Sequence, residues 1–273
     1  MSEQEFIKRW TEIDATDSPK YQSYLSQVSS LESVQQYKDL SFSMLRVAVG
    51  NHVLDVGCGN GDDVRTLARS VGDGGLVVGV DLSAALIAGA DAHPDNASLP
   101  VKFVIDDAHN LMFEDATFDR CRADRVFQHV PQRERALSEM IRVTKPRGWI
   151  TVADPDWGTL VVDAPTNRGT TRKVIEYIAD NAATDGWAAR ESYRLCKQAG
   201  LMDVSVMPVS VILTELSVAG PLYHLETSLA EMVRQGALDE EEANHWIGAL
   251  RETDAKGHFL SALSGFVVAA QKQ

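Results

Sequence analysis

The chain has 273 residues, 44% of them hydrophobic, enough for one large core or one core with a modest appendage. Its 26 basic and 39 acidic residues leave a net charge of −13, which repels a nucleic-acid backbone and disfavours that class of partner. Three cysteines (Cys58, Cys121, Cys196) without a Cys-x-x-Cys give neither a disulfide framework nor a zinc site, and no metal is expected. No apolar run approaches about 18 residues, and the start Met-Ser-Glu-Gln-Glu is no signal peptide, so a cytoplasmic protein without a membrane span is expected.

The first 18 residues are polar with a few aromatics, Phe6 and Trp10 among them, and Asp17-Ser18-Pro19 reads as a helix start. Tyr21, Leu25, Val28, Leu31, Val34, Tyr37 and Leu40 then fall near helical spacing, as one or two helices. Val53–Gly61 follows as a short aliphatic run and a glycine turn, leading into a helix over Asp62–Ser70. That is the opening of a βαβ unit. The glycines let the backbone pass close to a ligand, and the helix start presents free N–H groups.

A dinucleotide fingerprint needs no acid two residues before its first glycine, yet Asp55 stands there. A carboxylate in that position disfavours a pyrophosphate and favours a cation. Strand Leu76–Val80 closes on Asp81, helix Ser83–Ala92 follows, and strand Val101–Ile105 closes on Asp106-Asp107; positions 55, 81 and 107 are spaced 26 apart. An acid closing the second strand suits a ribose diol, because a carboxylate accepts from both hydroxyls.

The fourth strand, Asp119–Ala123, is unusual. A central parallel strand should be nearly all apolar, but Arg120, Arg122 and Arg125 occupy this stretch. Either Arg122 or Arg125 pairs with neighbouring carboxylates as scaffold, or Arg125, just past the strand end, faces the substrate. Helix Arg133–Val143 and strand Trp149–Ala153 continue an alternation that argues a parallel, doubly wound sheet. Ligand should then sit beyond the carboxyl ends of the strands, where Asp55, Asp81, Asp107, Asp124 and Asp154 converge.

After strand five come helical patterns at Thr171–Ala183 and Glu191–Ala199, and an insertion here, over 155–200, is expected to cover the substrate pocket. Val204–Leu213 reads as a sixth strand. Leu222, Leu225, Leu229 and Met232 make an amphipathic helix stopped by Gly236. Asp239 with Glu242 forms a capping-box pattern for a last helix carrying Ala243, Trp246, Ile247 and Leu250, all expected as core or cap packing. Leu260–Ala270 is the final strand.

These blocks resemble the class I S-adenosylmethionine-dependent methyltransferases, in the small-molecule branch typified by ubiquinone/menaquinone-biosynthesis and antibiotic-tailoring enzymes. The resemblance rests on Val53–Gly61, Gly79–Ser83, Asp107-Ala108 with Phe113–Asp119, Gln128–Pro131 and Lys145–Gly148, and covers roughly Ser41–Asp156. It implies a Rossmann-like α/β fold with a doubly wound seven-stranded sheet, mostly parallel with an antiparallel last strand at the edge. An N-terminal helical lid would occupy 1–45 and the methyltransferase domain 46–273. S-adenosylmethionine would be the cofactor, S-adenosylhomocysteine its product, and a small molecule the methyl acceptor.

The resemblance also implies roles. Gly57 and Gly59 allow close approach to the methionine part, and Asp55 supports its ammonium. Asp81 holds the ribose, Leu82 packs on the adenine, and Asp107 with the Ala108 N–H reads the adenine edge. Ala123, at the end of strand four, and Tyr21, on the lid, complete the cofactor set. Tyr24, Arg125 and Trp157 are the substrate candidates, and His129 and Asp154 the candidate bases. The acceptor atom, O, N or C, stays open. So does the oligomeric state, although N-terminal helices exchanged between subunits would make a homo-oligomer. Two other readings stand beside this one. One is a cofactor-binding fold turned to cyclisation or sensing; the other is a nicotinamide oxidoreductase, against which Asp55 and Asp107-Ala108 speak.

Overall fold

The computed structural model describes Asp14 and residues 18–273, with the backbone alone at 18–21 and 27. Phe6, Trp10 and the Tyr21 side chain therefore lie outside the described residues. Helices α1 (Ser18–Ser29) and α2 (Glu32–Leu45) lead into β1 (His52–Val56), and α3 (Asp62–Val71) starts directly after the glycine turn. Next come β2 (Leu76–Asp81), α4 (Ala84–Asp91), β3 (Val101–Ile105), β4 (Phe118–Asp124), α5 (Arg133–Val143) and β5 (Thr144–Pro155). Ser83 caps α4 by accepting from the Leu86 N–H at 3.1 Å, which fixes that helix start at the expected residue.

Beyond β5 run the two-residue β6 (Val161–Val162), α6 (Arg168–Asn181), α7 (Ala188–Gln198) and β7 (Met202–Leu213). The chain closes with α8 (Leu216–Leu222), α9 (Leu225–Arg234), α10 (Glu240–Ala255) and β8 (Ser261–Gln271). Among the described residues the strands form one sheet in the order β3-β2-β1-β4-β5-β8, with β7 outside β8 and β6 beside the start of β8. β1 to β5 pair in parallel, and β8 runs antiparallel to both β5 and β7. This is the expected doubly wound sheet with its antiparallel last strand; that strand lies one place in from the edge.

Alternation along the strands sorts the two faces. Val53 and Val77 pack with Leu45 of α2 and with Val64 and Leu67 of α3. Leu54, Val56, Val78 and Val80 face the opposite way, onto Ala136, Leu137 and Met140 of α5 and Leu195 of α7. The same rule explains the arginine-rich strand. Cys121 and Ala123 enter the apolar cluster under α5, while Arg122 and Asp124 emerge on the α2–α3 face. α2 packs across β4, β5, β7 and β8, so this half of the N-terminal segment is a sheet-covering helix.

A third cluster joins the outer end of the sheet, through Val162, Leu213 and Leu263, to the remaining helices. Trp157 and Leu160 join Val174, Ile178 and Ala179 of α6, Tyr223, Leu229 and Met232 of α8–α9, and Trp246 and Leu250 of α10. The cap is thus built from two insertions, one after β5 and one between β7 and β8. The 155–200 segment takes part as far as Trp187, whereas Leu195 and Cys196 of α7 belong to the sheet core. Gly236, at φ 71°, ends α9 as expected. The capping box does not form: the Asp239 side chain makes no cap hydrogen bond, and Glu242 accepts from Thr170 Oγ1 of α6 instead. A tertiary partner has taken the carboxylate that the local pattern assigned to the helix start. No helix among the described residues is long and apolar enough to cross a membrane.

Candidate active site

The glycine turn builds the first wall of the site. Gly57, Gly59 and Gly61 sit at φ 72°, 52° and 75°, and a Cβ on Gly57 would lie 2.3 Å from Val126 Cγ2. The Gly57 and Cys58 N–H groups both donate to the Val80 carbonyl, at 2.7 and 2.9 Å, and this draws the turn over the end of β2. The Asp81 carboxylate then accepts from the Gly59 N–H through Oδ2 and from the Ser83 N–H through Oδ1, both at 3.0 Å. Two oriented oxygens remain with lone pairs toward the cavity, the arrangement a vicinal diol requires. Burial holds the Asp81 carboxyl above its ordinary range, against those two bonds. Leu82, half exposed, continues the wall, and Asp107 and Ala108 stand at its far end. Asp107 accepts from the backbone and Nδ1 of His109, at 2.9 and 2.7 Å. These bonds outweigh its slight burial and keep its carboxyl below the usual range.

A buried charge cluster backs the glycine turn. Arg122, wholly buried, reaches Asp55 at 3.1 Å, Asp63 at 2.8 Å and Asp124 at 3.2 Å, and its guanidinium lies 4.9 Å from the Phe42 ring centre. Lys38 of α2 adds a 2.7 Å pair to Asp63, and the Tyr37 hydroxyl donates to Asp124 at 3.1 Å. Three carboxylates are thereby held by two paired cations. Burial pushes the Asp55 carboxyl up to about 7 although Arg122 pulls it down. Burial also works on Asp63, but there Arg122 and Lys38 win and hold it well below the usual carboxylate range. Asp55 and Asp124 line the cavity, where Arg125 acts on Asp124 and Asp63 from beyond ion-pair distance.

The opposite wall carries the candidate chemistry. Arg125 is held at φ 58° by its N–H donating to the Ala153 carbonyl at 2.7 Å, and it lines the cavity with Tyr24, His129, Asp154 and Trp157. Asp154 Oδ1 accepts from the Gln128 N–H at 3.2 Å, while Oδ2 is buried without a hydrogen bond. Burial raises this carboxyl well above its ordinary value. The Trp157 indole N–H donates to Gln128 Oε1 at 2.8 Å, so Gln128 ties the ends of β4 and β5 together. Tyr24 stacks on His224 of the cap, ring centres 6.2 Å apart. The space between these walls measures about 260 Å³.

His129 is held neutral. Loss of hydration, reinforced by the Arg125 charge, lowers its pKa to about 3. Unfolded, the same ring titrates near 6.5, so between roughly pH 6.5 and 3 the unfolded chain takes up a proton that the folded one refuses. Stability therefore falls as the pH drops through that window. His129→Gln is expected to remove about 1–2 kcal/mol of the wild type's loss between pH 7.5 and pH 5, read from urea midpoints at the two pH values. Parallel losses in both proteins would place the ring in water.

One expected site residue is corrected by the structure. Ala123 is buried between Val56 and Val152, and strand alternation points its methyl into the core under α5, away from the cavity. Tyr21 is on α1, but its side chain is outside the described residues. The remaining candidates line one cavity. Tyr37, Lys38, Gln128, Tyr223 and His224 line it as well, and sequence reasoning did not single them out as site residues. Tyr37 at least stood on the predicted α2 stripe; nothing local marked Tyr223 or His224.

A glycine turn drawn against an anchored carboxylate, in a cavity that Asp55 and Asp124 also line, suits a ligand that is both nucleoside and cation. S-adenosylmethionine is both, and this fold and site are those of the class I methyltransferases that use it. Residues 48–200 match the family described as a methyltransferase domain, and the chain belongs to that family. It is 32% identical over 254 residues to an uncharacterized 37.1 kDa protein in transposon TN4556 of Streptomyces fradiae, covering 93% of this chain and 72% of that one. It is also 30% identical over 152 residues to a demethylmenaquinone methyltransferase of Lactobacillus johnsonii. That alignment covers 55% of this chain and spans only 59% of the relative. The solved structure of the YcgJ protein from Bacillus subtilis matches with a TM-score of 0.59 at 15% identity, over 88% of this chain and 99% of that one, a likeness of fold alone.

Proposed function

We propose that the chain methylates a small-molecule acceptor in the cytoplasm, at an O, N or C atom of a quinone-like or secondary metabolite. The observation that carries this reading is the Asp81 carboxylate fixed between the glycine turn and Ser83, in a cavity that Asp55 and Asp124 also line. The name of the Lactobacillus relative supports a quinol-like acceptor. S-adenosylmethionine, when bound, supplies a methyl group on a sulfonium that is already an excellent leaving group. The chain's own work is then to orient the acceptor in line, exclude water and remove a proton where the acceptor has one.

In this reading the cap excludes water: Trp157 and Tyr223 meet edge to face, ring centres 6.5 Å apart, over the end of β5. Asp154 is the proton acceptor, because burial raises its carboxyl well above its ordinary value and so strengthens it as a base. His129, held neutral, accepts a hydrogen bond from the acceptor and orients it. Within the N-terminal segment α1 serves as the lid, with Tyr24 at the acceptor.

The test is incubation with S-adenosylmethionine and a panel of phenols, quinols and amines, read by mass spectrometry. The expected result is one singly methylated product, whose formation in Asp154→Asn loses its acid limb in the pH–rate profile. Calorimetric titrations with S-adenosylhomocysteine and with NADH accompany it. Binding of NADH alone, or of neither, would overturn the assignment.

A further inference from the structure

Arg125 is the cavity cation that the scaffold leaves unused. Its neighbour Arg122 is committed to three carboxylates, whereas Arg125 has no carboxylate within ion-pair distance among the described residues. Its Nε is buried and makes no hydrogen bond. Asp124 binds Arg122 and the Tyr37 hydroxyl, and Asp154 accepts the Gln128 N–H through Oδ1; both lie beyond ion-pair distance of Arg125 and attract it only at longer range.

The backbone holds this side chain in the cavity at a cost. A non-glycine residue at φ 58° is strained by about 1–3 kcal/mol, and strain of this kind persists where the surroundings over-determine it. Here the Arg125 N–H is bound to the Ala153 carbonyl at 2.7 Å, and its own carbonyl accepts from Gln128 Nε2 at 3.4 Å. Continuing β4 in extended form would have carried residue 125 along the sheet; the turn puts it on the cavity wall with Tyr24, Tyr37 and His129. Such a guanidinium, attracted by Asp124 and Asp63 but in ion-pair contact with neither, gains further when a ligand brings an opposite charge in matching geometry.

We propose that Arg125 docks a carboxylate carried by the methyl acceptor, so that the acceptors of this enzyme are acids. The planar fork of the guanidinium binds a carboxylate through two parallel N–H bonds and fixes its orientation as well as its position. The aromatic rings of Tyr24 and Tyr37 beside it leave room for a flat or apolar acceptor body and present no competing anion. This assignment rests on the methyltransferase reading above. The one other carboxylate that such a site receives is the cofactor's own, and the experiment separates the two.

Protein saturated with S-adenosylhomocysteine is titrated calorimetrically with benzoate, 4-hydroxybenzoate, phenylacetate and indole-3-acetate, each beside its carboxamide. At least one acid is expected to bind about 10–100-fold tighter than its amide. Arg125→Gln should erase that preference, Arg125→Lys should retain part of it, and S-adenosylhomocysteine affinity should stay within about two-fold in both variants. Acids and amides binding alike, no acid binding to the wild type, or a preference that survives Arg125→Gln would overturn the proposal. So would a loss of S-adenosylhomocysteine affinity in Arg125→Gln without loss for methylthioadenosine, which lacks the amino-acid part; that result assigns the arginine to the cofactor. A wild type that does not bind S-adenosylhomocysteine would instead overturn the methyltransferase reading, and this assignment with it.

Discussion

Arg122→Met is expected to destabilise the chain by about 3–5 kcal/mol, much of the stability of a typical domain. The reason is the fate of what remains. Asp55 and Asp63 would lose the guanidinium that lies 3.1 and 2.8 Å away, and Asp124 the one at 3.2 Å, leaving Lys38 paired to Asp63 and Arg125 acting only at longer range. The intact cluster need not be strongly stabilising, since desolvation of its members offsets much of their attraction; its disruption is costly because the survivors stay buried. Arg122→Met combined with Asp55→Asn and Asp63→Asn should therefore recover at least half of the loss. Urea denaturation midpoints of the three proteins, measured without ligand, decide the point. A single variant that unfolds at the wild-type midpoint, or a triple variant worse than the single, would show that these groups are not energetically coupled.

That cluster also shows how far the sequence could be read. Five strands ending in acids, with a glycine turn after the first, pointed to the carboxyl ends of a doubly wound sheet, where the structure has its cavity. The arginines of β4 looked out of place because a parallel strand is expected to be apolar on both faces. Period-two alternation resolves the conflict: Cys121 and Ala123 supply the apolar face, while Arg122 and Asp124 face α2 and α3. The same alternation removes Ala123 from the ligand site, although it lies one residue from the strand end.

The cap was harder to read for a physical reason. α6 and α7 carry similar amphipathic stripes, and a stripe says that a face is buried without saying against what. Ile178 and Ala179 of α6 pack with Trp246 of α10, more than sixty residues away, whereas Leu195 of α7 returns to the sheet. Glu242 had a local partner in the capping-box pattern and found a distant one in Thr170. Tyr223 and His224 reach the cavity only through this long-range assembly, so no spacing in their own segment announces them.

Asp81→Ala is expected to weaken S-adenosylhomocysteine binding by roughly 10–100-fold, the worth of about 1.5–3 kcal/mol of hydrogen bonding to a charged group. Two mechanisms contribute, and they differ in what they predict. In the proposed role the carboxylate accepts from a ribose diol; in the structure it holds the Gly59 and Ser83 N–H groups that shape the turn. Asp81→Asn keeps one acceptor oxygen and the side-chain volume, so it should lose less than the alanine variant if ribose contact dominates. Methylthioadenosine shares the ribose and lacks the amino-acid part. It should lose affinity as much as S-adenosylhomocysteine does in Asp81→Ala if the diol is the site of contact, and much less if the damage lies in the glycine turn beside the methionine part. A loss below about three-fold for both ligands would remove Asp81 from the cofactor site, because no charged hydrogen bond to a bound diol is worth so little.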